Sequence, residues 1–297
     1  MFTVSMINRK GGCGKTSAVF HLGGCLAKNG YRVLLVDADP QASLTQGFLG
    51  PETTEKLPKL STLAALFDDS LDPRTEELIR NTEVEGLSIL PASSHLDPYN
   101  LPVPQVTGEL EGDLGQFLPY VSARLQRVLV ELLSEIEDYF DVVFIDCPPN
   151  LQLCSWAALL ASDYVIVPLQ PEDFGAQGIT HVQRAIDLAL ARYNPRLRLL
   201  GYLVTMHQRR LRIHSIYERE LRRLYGGEVF ASSIPAKTDY KEAVACRLPI
   251  TQFRPSSDAA MAIEVVAHEF IYRVERIAKE APRFLYLENR IALRSAG

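Results

Sequence analysis

The chain has 297 residues, 47% hydrophobic and 23% charged, and its five cysteines are odd in number without CxxC spacing; this excludes disordered, collagen-like and disulfide-scaffold classes and gives no zinc site. Its 31 basic and 36 acidic residues leave a net charge of −5, so any nucleic-acid-binding surface must be local. No run approaches the ~18 apolar residues of a membrane span, and the start MFTVSMINRKGG lacks the apolar core of a signal peptide, which points to a reduced, cytoplasmic protein.

Residues 2–8 are a short apolar run ending in a glycine cluster and read as a buried strand. Residues 16–29 carry apolar side chains at helical spacing (Val19, Leu22, Leu26) and stop at Gly30, a C-cap signal. Further continuous β-rich runs occupy 32–37 (RVLLVD), 87–90, 141–146 (DVVFID), 164–169 and 199–205, with helical stretches at 120–138, 176–191, 213–224 and 257–279. Continuous rather than alternating apolar strands imply an α/β fold, a mainly parallel twisted sheet with helices on both faces. The pattern runs to about residue 280, so 1–280 reads as one domain with an irregular Pro/Gly/acid-rich insertion near 93–119 and a C-terminal tail at 281–297. Charge is uneven along it. Residues 51–140 hold 17 acidic and 6 basic side chains, a net of −11, whereas 181–225 hold 10 arginines against Asp187, Glu218 and Glu220, a net of +7.

The strongest motif is Lys10-Gly11-Gly12-Cys13-Gly14-Lys15-Thr16, followed by Ser17, set between a strand and a helix. Glycines there let backbone N–H groups turn inward around phosphate oxygens, and the following helix adds donors and a positive dipole end. Lys15 would reach the β- and γ-phosphates and Thr16 would offer a hydroxyl to Mg²⁺. At ordinary glycine usage, three glycines at set places arise by chance in about 3 of 10,000 windows. The lysines and the strand–helix context make a plain glycine-rich turn rarer still.

The loop departs from G-x-x-x-x-G-K-[ST]: Arg9 stands where the first glycine belongs, and a second lysine, Lys10, opens the loop. This is the deviant Walker motif KGGxGK[ST], and here the chain resembles the ParA/MinD group of dimerising P-loop ATPases. The resemblance implies ATP and Mg²⁺ as cofactors, and a homodimer in which Lys10 crosses to the partner's ATP. A lysine charge supplied in trans acts in kind like an arginine finger.

Asp37 and Asp39 end the run VLLVDADPQ, on the same side of a strand of period two. Asp146 ends FDVVFIDCPPN. In an open parallel sheet the carboxyl ends of strands are where ligands sit, and three carboxylates near phosphates require a divalent ion to offset repulsion. By resemblance, Asp146 is a Walker B acid holding Mg²⁺ through water, Asp37 supports the metal shell, and Asp39 orients the attacking water. Further family-like stretches are LPAS (90–93), IVPLQPEDFGAQG (166–178), VTM (204–206) and IPAKTDYKEA (234–243). They place Met206 and Pro235 near the adenine.

ParA-like partition ATPases bind DNA without sequence preference when ATP-dimerised, and a ParB-like or adaptor protein stimulates their hydrolysis at the nucleoid. Here MHQRRLRIHSIYERELRR offers Arg209, Arg210, Arg212, Arg219, Arg222 and Arg223. Such arginines neutralise phosphates with steep salt dependence and no base reading. The opposing reading is a solvated helix whose arginines pair with Glu218, Glu220 and the acidic insertion. After Ile234-Pro235, where many relatives carry arginines, this chain has Ala236, Lys237 and Asp239; Lys237, Lys241 and the more distal Arg273, Arg276, Lys279 and Arg283 offer compensation. Two alternatives stay open. A MinD-like membrane-associated ATPase needs an amphipathic basic tail, and PRFLYLENRIALRSAG carries some of that character, although Glu288 and mixed spacing favour packing onto the domain. An iron–sulfur donor needs suitably placed cysteines, of which Cys147 and Cys154 are the candidates.

Overall fold

A computed structural model describes residues 1–103, 122–171, 176–208 and 210–280, with the side chains of 176–178 and 280 excepted. Among these residues one sheet is built from β1 (Phe2–Met6), β2 (Val33–Asp37), β3 (Arg80–Asn81), β4 (Leu87–Leu90), β5 (Val142–Asp146), β6 (Tyr164–Leu169), β7 (Arg198–His207) and β8 (Val229–Pro235). The strands lie in the order β3-β4-β2-β5-β1-β6-β7-β8, all parallel except the β3–β4 pair.

The continuous apolar runs have the cause inferred for them. Along β5, Val143 and Ile145 enter one core while Val142 and Phe144 enter the other, so both faces are buried. The first core is closed by α3 (Ala123–Glu135), α4 (Leu153–Ala161), α5 (Ala176–Arg192) and α6 (Arg212–Tyr225). The second is closed by α1 (Lys15–Lys28), α2 (Ser43–Leu49), α7 (Thr238–Ala245) and α8 (Asp258–Glu280). Two glycines set how closely α1 approaches. A Cβ on Gly23 would come within 2.6 Å of Leu35, and one on Gly24 within 2.2 Å of Pro249. The first lets α1 lie close on β2, and the second lets Pro249 close on α1.

Two strands escaped the sequence reading. β3 is two residues long, and β8 reads VFASSIP, whose serines and terminal proline mark an edge strand. The stretch expected to be irregular from residue 93 opens with a 3₁₀ turn, Ser94–Tyr99, and its residues 104–119 lie outside the described residues, as does the tail at 281–297.

Candidate nucleotide site

The chain leaves β1 toward β2 on one side, while β5 leads through α4 to β6 on the other. The crevice between these diverging connections is the switch point where open α/β sheets hold ligands. The phosphate loop sits there. Gly12 and Gly14 have φ of 74° and 83°, the left-handed region that glycine enters without penalty, and Gly14 caps α1. A Cβ on Gly11 or Gly12 would meet nothing within 4 Å, so open space lies over the loop.

The two lysines of the motif are placed differently. Lys15 is 6% exposed and its Nζ donates to the carbonyls of Asn8 and Lys10, each at 3.1 Å, with the Cys13 Sγ 4.0 Å away. Lys10 and its neighbour Arg9 are exposed, and Arg9 meets His181 of α5. Thr205, at the end of β7, braces the loop by donating from Oγ1 to the Cys13 carbonyl at 2.7 Å. Met206 stands beside Gly14, its Cε 3.7 Å from where a Cβ would be, with a strained φ of 53°. Pro235 pairs with His207, one residue on. Both expected adenine residues therefore flank the same strand ends.

Register brings the carboxylates together, since Asp37 of β2 lies opposite Asp146 of β5 and Met6 of β1 lies on the other side. Asp37 is fully buried. Its Oδ2 accepts from the Thr45 backbone N–H at 2.8 Å and the Thr45 hydroxyl at 2.7 Å, and its Oδ1 accepts from the Asp39 N–H at 3.2 Å. Burial still pushes its pKa up to about 7 against those hydrogen bonds. Asp146 is 1% exposed and neither of its oxygens accepts a hydrogen bond of ordinary geometry among the described residues. Burial first, then the facing Asp37, raise its pKa well above the usual carboxylate range, with the Thr16 hydroxyl and the Lys15 ammonium opposing. Asp39 is half-buried, and burial raises its pKa too. A divalent cation fits this donor set, because it would supply the positive charge the Asp146 oxygens lack.

Sequence reasoning missed Asn8 and Thr205, which bond to Pro168 and Cys13 far along the chain, and Thr45, which bonds to Asp37 eight residues before it; the N-x-K spacing of Asn8 and Lys10 is a further local signal, a side chain able to accept from the N–H two residues on. Cys147 and Cys154 are buried, and burial raises both thiols, which disfavours the thiolates an iron–sulfur cluster would need.

The arginines separate by position. Arg210, Arg212, Arg219 and Arg223 are exposed, and Arg209 lies outside the described residues. Arg223 pairs with Glu220 at 2.8 Å. Arg222 is held inward, bonded to Glu218 at 2.6 Å and to the carbonyls of Phe230 and Ala231 in β8. Arg273, counted among compensating surface cations, is instead 7% exposed and serves the fold. Lys237 pairs with Asp258 and Asp239 with Arg254. No helix among the described residues is long and apolar enough to cross a membrane.

A family described as the AAA domain matches residues 1–199. The chromosome partitioning protein ParA of Caulobacter vibrioides is 32% identical over 281 residues, covering 94% of this chain and 97% of that protein. The sporulation initiation inhibitor protein Soj of Bacillus subtilis is 31% identical over 258 residues, covering 86% and 93%. Among solved structures, cobyrinic acid a,c-diamide synthase from Mycobacterium smegmatis, crystallised with ADP and magnesium, superposes with a TM-score of 0.69 at 27% identity, covering 90% of this chain and 93% of that one. With a parallel sheet, a KGGxGK loop and whole-length relatives of this kind, the chain belongs to the ParA/Soj family of chromosome-partitioning ATPases.

Proposed function

We propose that this ATPase is a dimerisation switch for partitioning or positioning DNA or another cargo. ATP occupies the loop at residues 10–17, with Met206 and Pro235 toward the base. Lys15 leaves the carbonyls of Asn8 and Lys10 for the phosphates, an exchange of one set of charge-assisted hydrogen bonds for a stronger one. Mg²⁺, when bound, neutralises charge on the phosphates; Thr16 and Asp146 hold it, the latter through water, and Asp37 shapes that shell by its bonds to Thr45. Asp39 orients the attacking water. Lys10 reaches the partner's nucleotide, so two loops complete each other only in the dimer. The observation that carries this reading is the different placement of the loop lysines, Lys15 buried in its own site and Lys10 exposed.

Exposed Arg210, Arg212 and Arg219 on and beside α6 support non-specific DNA binding, doubled by dimerisation into a bivalent surface. A ParB-like or adaptor protein stimulates hydrolysis and resets the switch, giving a nucleoid-associated ATP state. A duplex-binding titration with ADP and with ATP across salt concentrations tests the switch and the surface together. ATP is expected to tighten binding to unrelated sequences alike, with affinity falling steeply as salt rises; equal affinity with both nucleotides overturns the reading.

A further inference from the structure

From its hydrogen bonds we infer that Asn8 is the positioning residue that aims Lys10 away from its own pocket and toward a second copy of the chain. This rests on the reading of Lys10 as a group acting in trans. Asn8 is 4% exposed and lies where β1 parts from β6. The last rung of that pairing is the Ile7 N–H to the Ile166 carbonyl at 3.1 Å. Beyond it the loop must turn out of the sheet, which leaves the Pro168 carbonyl of β6 without a backbone donor from β1. The Asn8 side chain takes that place, its Nδ2 donating to the Pro168 oxygen at 2.7 Å. Its Oδ1 turns the other way and accepts the Lys10 backbone N–H at 3.0 Å. Its own carbonyl accepts from Lys15 at 3.1 Å.

One buried amide thus anchors the loop to the sheet and fixes the backbone of the first lysine, while the second lysine is seated by the main-chain carbonyl of the same residue, which a substitution at position 8 retains. No other side chain type does both of the first two. Aspartate loses the donor to Pro168, serine is too short to span both partners, and alanine leaves two buried polar groups unpaired, an arrangement that costs about 1–3 kcal/mol per group. With the Lys10 N–H bonded backward to residue 8, the peptide is held in an Asx turn that fixes where the exposed Lys10 starts. The rest of the cradle depends on other groups: Gly14, Lys15 and the Thr205 brace from β7.

The consequence is a separation of two properties. Asn8→Ala should weaken ATP-dependent dimerisation at least tenfold by light scattering or analytical ultracentrifugation while changing ADP affinity of the monomer less than threefold. Asn8→Ser, whose hydroxyl can still accept from the Lys10 N–H, should recover most of the dimerisation. Loss of nucleotide affinity and dimerisation in step, or loss of neither, overturns the inference, as does a folded Asn8→Ser protein that dimerises no better than Asn8→Ala. In the wild-type protein without nucleotide, amide exchange at Lys10 should be protected at least tenfold relative to Gly11 and Gly12. A fast-exchanging Lys10 amide overturns the inference even where no variant folds. Lys10→Ala is run alongside: if it dimerises normally, the trans role itself falls, whereas a defect in Lys10→Ala with none in Asn8→Ala removes only the assignment of Asn8.

Discussion

Two buried charge clusters in this molecule are built on opposite principles. At the far edge of the sheet, Arg273 of α8 is 7% exposed yet fully engaged: its Nη atoms donate to the carbonyls of Leu200, Gly227 and Val229, its Nε pairs with Glu269 at 2.9 Å, and its guanidinium lies 4.2 Å from the Phe230 ring centroid. Glu269 in turn accepts the N–H groups of Ala231 and Ser232 and the Ser232 hydroxyl. At the strand ends around the phosphate loop, Asp37 and Asp146 face each other, burial disfavouring the charged form of both, and the Asp146 oxygens accept no hydrogen bond of ordinary geometry among the described residues. The first cluster completes the fold by itself; the second is completed by what binds to it. Burial of charge is common to both, so it is the state of satisfaction that separates a structural site from a functional one.

The largest effect expected from that contrast is at the closed cluster. Arg273→Ala strips Glu269 of its cationic partner and three backbone carbonyls of their donor at once, and breaking a buried pair of this kind costs about 3–5 kcal/mol. Urea denaturation should show it as a lower midpoint, equal with and without Mg·ADP. Arg273→Lys should restore only part, because one ammonium cannot span carbonyls on both sides of β8. A loss under about 1 kcal/mol for Arg273→Ala would mean that the cluster is no anchor and the contrast fails.

At the open cluster the sign reverses. Asp146→Asn replaces a carboxyl whose charged form burial and the facing Asp37 disfavour, so the free protein should be at least as stable as the wild type and its Tm should not fall. Stabilisation by Mg·ADP should vanish in the same variant. The pH dependence carries the same sign. A carboxyl raised in the folded state to about 7 from an ordinary 3.8, as at Asp37, means that the native protein holds more protons than the unfolded chain between those values. The free protein therefore loses stability as pH climbs from about 4 through about 7, Asp146 extending the loss in the same direction, while Mg·nucleotide, which favours the charged carboxylates, stabilises more at the upper end. Denaturation midpoints at pH 5 and pH 7.5, with and without Mg·ADP, check both slopes. A midpoint for the free protein that rises across this range would contradict the burial argument.

What the sequence disclosed follows the same division. β1, β2, β5 and α1 were legible because apolar continuity and a glycine cluster are local signals, and Asp37 and Asp146 followed because strand ends are where such runs stop. Asn8 and Thr45 were not: the Pro168 carbonyl that anchors Asn8 lies 160 residues away, and Thr45 reaches Asp37 from eight residues on only because the chain turns back at the start of α2. Arg273 was misread for a different reason: arginine content was counted without helical phase. It lies three positions after Phe270 and seven after Val266, both buried, on the inward face of α8. Arg222 lies one turn after its partner Glu218 and bonds to β8, whereas Arg212 and Arg219 are exposed. Phase therefore sorts the arginines of α6 in a way that composition does not.

That sorting sets the smallest expected effect on stability and the sharpest on binding. Arg212→Ala or Arg219→Ala, like Arg210→Ala, removes an exposed side chain and should shift stability by less than about 0.5 kcal/mol. Arg222→Ala removes the donor to Phe230 and Ala231 in β8 and the partner of Glu218, and should cost about 1–3 kcal/mol. DNA affinity should rank the other way. Each exposed arginine that contacts a phosphate releases about one counterion, so its loss weakens binding to every sequence alike and lowers the slope of log affinity against log salt by about 1 per protomer. Arg222→Ala, assayed where it remains folded, should come closer to the wild-type slope, because a guanidinium already paired with Glu218 and bonded to two carbonyls has less charge to offer a phosphate. If the slope instead drops for Arg222 and not for Arg212 or Arg219, α6 presents its other face to DNA, and the division between structural and surface arginines would have to be redrawn.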